Sequence, residues 1–293
     1  MRDKNWMRRY TLKCGPEGQT GFEIGHTNSA TETALHISFS IEKSDSSNPN
    51  DAKVQVWNLS DENLKILEMK DCIVELRAGY EDSMALILVG NVTSVITTIE
   101  NADRMTEITV VDGNIALRDV AVSISMNGMV NCRTLYNMLA KEMGMPITYA
   151  SDLTFKNMPN GFSYVGKARL ALHKVATFCR HKWSIQNQVI QITNPGRAIQ
   201  SKGFLLANET GLIGIPRRVK IDIGGVEQFG YEVEFFLNGA IGINETVVLR
   251  SSTANGYFRV QKLSIDGDNI DGDWICTAQV IGVGANAELD SKV

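Results

Sequence analysis

Residues 52–92 read AKVQVWNLSDENLKILEMKDCIVELRAGYEDSMALILVGNV, and their apolar positions change period twice. Val54 and Val56 alternate with Lys53 and Gln55, the period-2 mark of a strand with one buried face. Asn58, Leu59 and Ser60 end that strand. Ser60 is placed to cap a helix whose first turn carries Asp61 and Glu62, where the helix dipole favours negative charge. Leu64 and Leu67 give this helix a narrow apolar stripe, and it is over by Asp71. Val74, Leu76 and Ala78 resume the alternation, residues 79–82 turn the chain, and residues 85–89 return as a strand. A helix this short is not stable alone in water, so it must plug or brace the flanking sheet.

The same alternation recurs on both sides of this block. Residues 10–14 form a first strand. Leu35, Ile37, Phe39 and Ile41 alternate strictly with His36, Ser38 and Ser40, and residues 44–51 come next as a polar, mobile loop. Beyond Gly90, strands are expected over 92–99, 107–112 and 120–125, with a short helical stretch after Gly113. At Asn127 the period changes. Leu135, Met138 and Leu139 share one face of a helix over 133–143, stopped by Gly144 and Pro146. A second helix over 167–182 aligns Ala168, Ala171, Leu172, Val175 and Cys179. Residues 183–193 then read as a hairpin turning near Asn187. From 197 period 2 returns: Val219, Ile221 and Ile223 lead into a Gly224–Gly225 turn, further strands lie over 231–237, 246–250, 257–265 and 274–283, and the tail 285–293 frays.

These patterns predict a mainly β (α+β) chain with domains at 1–126, 127–196 and 197–293, the two outer ones β-barrels flanking a small α/β insert. An internal echo supports the pairing of the outer two. Cys72-Ile-Val-Glu-Leu-Arg77 followed by 85–95 parallels Glu245-Thr-Val-Val-Leu-Arg250 followed by 257–265.

Composition narrows the function classes. The chain has 293 residues, enough for about two domains, with ordinary hydrophobic (43%) and charged (21%) fractions. A net charge of −4 argues against a nucleic-acid-binding surface covering the molecule, and the densest basic clusters, Arg8-Arg9 and Arg217, Arg218 and Lys220, are short. Five dispersed cysteines without CxxC spacing read as reduced, buried thiols of a protein made in the cytoplasm. The N-terminus lacks the apolar stretch of a secretory signal, and no apolar run reaches the roughly 20 residues that span a bilayer.

No constellation selects a catalytic, cofactor or metal site. Asp266, Asp268, Asp271 and Asp273 surround glycines in the manner of a calcium loop. The glycine register is wrong and no closing glutamate is present, so a polar hairpin turn is expected. His173, Cys179 and His181 do not converge on one point of a helix, which leaves Cys179 on the apolar face and the histidines solvated. His26 and His36 stand beside no nucleophile signature, Gly211–Gly214 is a loop rather than a phosphate cradle, and Glu100, Glu107, Glu232 and Glu234 read as solvated faces of strands. Trp6, Trp57, Trp183 and Trp274 fall near strand ends, where their rings would pack.

The run from Leu35 through Val-x-Val-Trp57-Asn58-Leu59-Ser60, the short helix and Leu76-x-Ala78-Gly79-Tyr80 to Gly90 resembles phage tail and baseplate hub proteins of the late-control-protein-D type. The central insert and the stretch Tyr257-Phe-Arg-Val260, Gly267-Asp268 and Trp274 are similar to the same family. The resemblance implies a homotrimeric structural hub of the virion whose two related barrels make a pseudo-sixfold ring. Its implied partners are the tail tube protein, the central spike protein, other baseplate proteins and the tape measure protein. DNA would pass through the channel without specific binding, with no enzymatic activity and no cofactor. A tail-borne cell-wall glycosidase and a carbohydrate-binding tail-tip module are the alternatives left open.

Overall fold

Why the alternating segments pair as they do is clear from the register of one large sheet. The computed structural model describes residues 7–26, 34–81, 83–100, 102–199, 202–223, 226–283 and 288–289. Trp6, the Gly224–Gly225 turn and most of the expected frayed tail lie outside them. The first part of the chain forms β1 (Arg8–Pro16), β2 (Phe22–Gly25), β3 (Ile37–Ser44), β4 (Asp51–Trp57), α1 (Asp61–Leu67), β5 (Cys72–Tyr80), β6 (Ser83–Glu100) and β7 (Asp103–Val111). The middle consists of α2 (Asn114–Arg118), β8 (Ala121–Met126), β9 (Val130–Asn131), α3 (Cys132–Glu142), β10 (Ile147–Tyr149), β11 (Asn157–Met158), β12 (Phe162–Lys167), α4 (Ala168–Cys179), β13 (Lys182–Gln186) and β14 (Val189–Thr193). The last part comprises β15 (Lys202–Leu206), β16 (Leu212–Ile223), β17 (Val226–Phe236), β18 (Thr246–Arg250), β19 (Asn255–Asp268), β20 (Trp274–Gly282) and β21 (Glu288–Leu289).

The two β-rich parts repeat one topology. Hydrogen-bonded order in the first is β3-β4-β7-β6-β5-β1, and in the last it is β16-β17-β20-β19-β18-β15. Chain order and spatial order therefore correspond strand for strand. The registers agree too: Ile73 faces Asn91 in the β5–β6 hairpin and Thr246 faces Arg259 in the β18–β19 hairpin. Both copies then bulge one residue past a valine, between Val92 and Ser94 in β6 and between Val260 and Lys262 in β19. The Leu-Arg echo falls on the corresponding strands β5 and β18, but β5–β6 bulges between Leu76 and Arg77, so Arg77 faces Leu86 where Arg250 faces Asn255 without a bulge. The copies differ in that β1 runs antiparallel to β5 whereas β15 runs parallel to β18.

The mainly β architecture with an α/β insert is as the sequence predicts, but the two outer units are arms of one fourteen-stranded sheet. No pairing among the described residues closes either arm as a barrel. The arms join through the length of β19: its first residues, 255–259, pair with β18, and the continuing edge, 262–268, pairs with β3. Two further details depart from expectation. Gly90 does not end a strand, because β6 runs unbroken from Ser83 to Glu100, and Gly214 lies within β16 rather than in a loop.

One core lies beneath both arms, with Ile37, Ile41, Val54, Val56 and Ile108 of the first packed with Val233, Phe235, Leu263, Ile265 and Val280 of the last. A second cluster belongs to the middle segment, where Leu135 and Leu139 of α3 meet Leu172 and Val175 of α4 against Ile190 and Ile192. Asn131 caps α3 through its side chain, accepting from the Arg133 N–H at 2.9 Å. Gly79 must be glycine, since a Cβ there would sit 2.0 Å from the Ser83 carbonyl oxygen.

Ser60 caps α1 as expected, accepting from the Asn63 N–H. The preceding Asn58 takes a left-handed conformation (φ 60°) while its side chain bonds both Asp103 and the Arg104 N–H. The helix lies beside β1 and buries Leu67, while Leu64 is only half-buried. We therefore expect Leu67→Asp to lower the unfolding free energy by more than about 3 kcal/mol, as a buried leucine is both truncated and replaced by a charge. Leu64→Asp should cost clearly less. Urea denaturation of the two variants tests this, and equal losses would contradict the placement of α1.

Candidate assembly interface

Opposite the core, the joined arms present a polar face. Ser40, Glu42, Lys53 and Lys262 are exposed on it, and Gln55, Glu107, Ser264, Thr277, Gln279 and Glu232 are half-buried. Lys53 lies 3.6 Å from Glu107, and Arg217 lies 2.5 Å from Glu232. Exposed pairs of this kind contribute little to stability, so they define a hydrated surface more than a clasp. A shallow groove of about 440 Å³ runs along the seam between the arms, lined by Glu42, Asp51, Lys262, Ser264 and Gln279 among others.

The middle segment is locked to this sheet by buried polar groups. Asn187 and Gln188 both have positive φ, the requirement of the tight two-residue turn joining β13 to β14. The Asp112 carboxylate accepts from their backbone N–H groups at 2.6 and 2.8 Å, and Lys43 Nζ donates to Asn187 Oδ1 at 2.7 Å. Asn50 donates to the Ile185 carbonyl and Gln186 to the Ser44 carbonyl. Asp45 receives Lys182 at 2.6 Å and the fully buried Arg259 at 2.8 Å, and Arg259 also donates to Asn244 and Gln261. The β19 bulge turns Gln261 inward to join them.

The expected mobile loop over 44–51 is thus pinned: Asp45 and Asn50 are 3% and 5% exposed. The polar composition that suggests mobility serves here to satisfy buried donors. Burial also sets the charges. It lowers Lys43 to about 8 and raises Asp112 above the usual carboxylate range, and their mutual attraction offsets this only in part. Burial alone pushes Glu245, beside Asn244, up to about 7.

Other singled-out residues do not converge. Asp268 accepts from the amides of Ile270 and Asp271 and lies 2.9 Å from His36, which stacks on Trp57. Its desolvation is outweighed by these bonds, and its carboxyl is held below the ordinary value. Asp266 and Asp268 lie in the last residues of β19, and residues 269–273 form the hairpin turn into β20, latched to β3 by Asn269, which accepts from the Ile37 N–H. Asp266 accepts from Ser264. His173 is exposed, but His181 is buried rather than solvated, bonded to Tyr136 and to the Thr154 carbonyl, and burial lowers its pKa. His26 meets Tyr10 edge-on. Trp183 packs in the middle cluster, and Trp274 packs in the main core and donates to the Gly79 carbonyl. Glu234 is half-buried on β17, and Glu100 ends β6. All five cysteines are free and buried. No helix among the described residues is long and apolar enough to cross a membrane.

The described residues thus form a duplicated β-fold joined edge to edge, with a polar face and a locked insert. The family model described as baseplate hub gp41 matches residues 19–280, and the chain belongs to that family. No curated protein matches significantly. Among solved structures, the chain is similar to a tail protein from Neisseria meningitidis MC58 (TM-score 0.61, 8% identity, covering 92% of this chain and 96% of that one). It is also similar to the 43 kDa tail protein of prophage MuSo2 from Shewanella oneidensis (TM-score 0.57, 10% identity, 93% and 97% covered). A third likeness is to the E. coli c3393 protein, a component of the type VI secretion system (TM-score 0.61, 10% identity, 87% and 75% covered). At these identities the likeness is one of fold. The family places the chain in the virion tail or baseplate, among structural proteins.

The buried groups give two testable outcomes. Asp45→Ala should cost about 3–5 kcal/mol by stranding the Arg259 charge, read from denaturant unfolding, and a neutral effect would contradict the network. A carboxyl whose folded pKa is raised gives stability that is full below the unfolded value near 4.5 and lost as pH rises towards 7. Glu245→Gln should accordingly raise the melting temperature at pH 8 and change it little at pH 4.5. A larger gain at pH 4.5 would reverse the assignment.

Proposed function

We propose that the protein is the hub of a phage tail or tail-like baseplate, with three copies forming a pseudo-sixfold ring between the tail tube and a central spike. The observation that carries this reading is the strand-for-strand repeat of β3-β4-β7-β6-β5-β1 in β16-β17-β20-β19-β18-β15. Two like units per chain, three chains per ring, give six like positions facing a hexameric tube and a threefold platform for a spike. The tail tube, spike, other baseplate and tape measure proteins are the partners of such a ring. Its bore passes DNA without specific binding, because holding DNA requires neutralising phosphates, and the polar sheet face carries Glu42, Glu107 and Glu232 beside its lysines.

In this reading the chain divides at 1–126, 127–196 and 197–293. It acts by assembly and has no catalytic centre. The E. coli relative by fold is described as structurally similar to the T4 tail proteins gp27 and gp5, and it is the baseplate hub family model over residues 19–280 that favours a hub over a tail-borne hydrolase. Light scattering on the purified chain should give a particle of about 97 kDa, three times the 32.3 kDa chain. A monomer that clears peptidoglycan would overturn the proposal.

A further inference from the structure

The repeat matches the strand order of one arm to that of the other, and the pairing of β19 with β3 has no counterpart among the described residues. In the last arm, residues 262–268 of β19 give their free edge to β3. The counterparts in the first arm are residues 94–100 of β6, fixed by the shared bulge after Val92 and Val260. β6 pairs with β5 through Asn91 and with β7 over 91–100, so beyond Asn91 its second edge is unpaired among the described residues. The counterpart of β3 is β16, which among the described residues ends the sheet and pairs on one side alone.

We infer that residues 94–100 of β6 pair antiparallel with β16 of a second copy, as β19 pairs with β3 within the chain. The inference rests on the ring proposed above and supplies its joint. The repeat also sets the register. Ser264 faces Glu42 in the intrachain pair, and the counterparts of these residues are Ile96 and Val219.

The surface chemistry fits this pairing. Ile96 and Ile99 are 54% and 79% exposed on β6, and Ile215 is 62% exposed on β16. Ile96 would meet Val219 on the polar-face side, beside Ile221, and Ile99 would fall next to the β16 bulge that carries Ile215. Thr97 faces the core side yet is exposed, whereas its counterpart Ile265, covered by β3, is 2% exposed. Apolar side chains along an open strand edge invite pairing with another chain unless a specific partner covers them. The contact is heterologous, β6 of one copy to β16 of the next, so it propagates around a ring.

The test is disulfide capture in the double variant Ile96→Cys/Val219→Cys, with Ile96→Cys/Lys220→Cys as control. Facing residues of an antiparallel pair bring their Cβ atoms within disulfide reach, and a one-residue offset places them on opposite faces. The five native thiols are buried and do not compete. Covalent trimers from the first pair, several-fold more abundant than from the control, are expected after mild oxidation. A trimer by light scattering that this pair fails to capture would overturn the strand pairing and leave the ring. Covalent ladders extending past three copies would uphold the pairing and overturn the three-copy ring. An uncaptured monomer, still folded by circular dichroism, would overturn both.

Discussion

The fourteen residues of β19 hydrogen-bond to β18, β20 and β3, and the joint between the two arms depends on that strand being too long for its own arm. Had β19 stopped near Gln261, the sheet would end there and the arms would meet only through packing. The bulge after Val260 serves this extension by resetting the twist and turning Gln261 inward. Gly267 then permits close approach, since a Cβ there would lie 2.3 Å from the Phe39 ring. A strand edge is an obligation as much as an opportunity, because its unpaired N–H and C=O groups must find partners.

The second constraint is electrostatic. Arg259 is 1% exposed, and a charge removed from water this thoroughly is tolerable only when paired and hydrogen-bonded. Asp45, Asn244 and Gln261 provide those bonds, drawn from the 44–51 loop, the loop before β18 and the bulge. Lys182 extends the same cluster to the insert. Position 259 thereby ties three parts of the chain together. Its repeat counterpart, Asn91, is also buried and accepts from the Ile115 N–H, so the same place in each arm binds a neighbouring segment through a polar side chain.

Much of this is legible in the residues. Alternation locates the strands, Ser60 and its acidic first turn locate α1, and the Leu-Arg echo falls on β5 and β18, which hold the same place in the two arms. The hidden part is tertiary. Nothing local to 255–268 indicates that half of its edge belongs to a strand more than 200 positions earlier, so closed barrels are the natural expectation. The loop over 44–51 reads as solvent-facing because Asp and Asn favour turns, and only the arrival of Arg259, Lys182 and β13 makes Asp45 and Asn50 interior. His181 departs from expectation for the same reason: its partners Tyr136 and Thr154 come from elsewhere in the insert. The residues of the assembly surface carry no motif at all, since a free edge is defined by the absence of a pairing strand.

The central claim is that a duplicated arm in each chain becomes one of six like positions around a common axis. Imaging the native tail particle tests this most directly. The account predicts three copies of the chain in a single ring between tube and spike, with the sheet running unbroken from each copy into the next. One copy, six copies, or a position on the periphery away from the axis would contradict it.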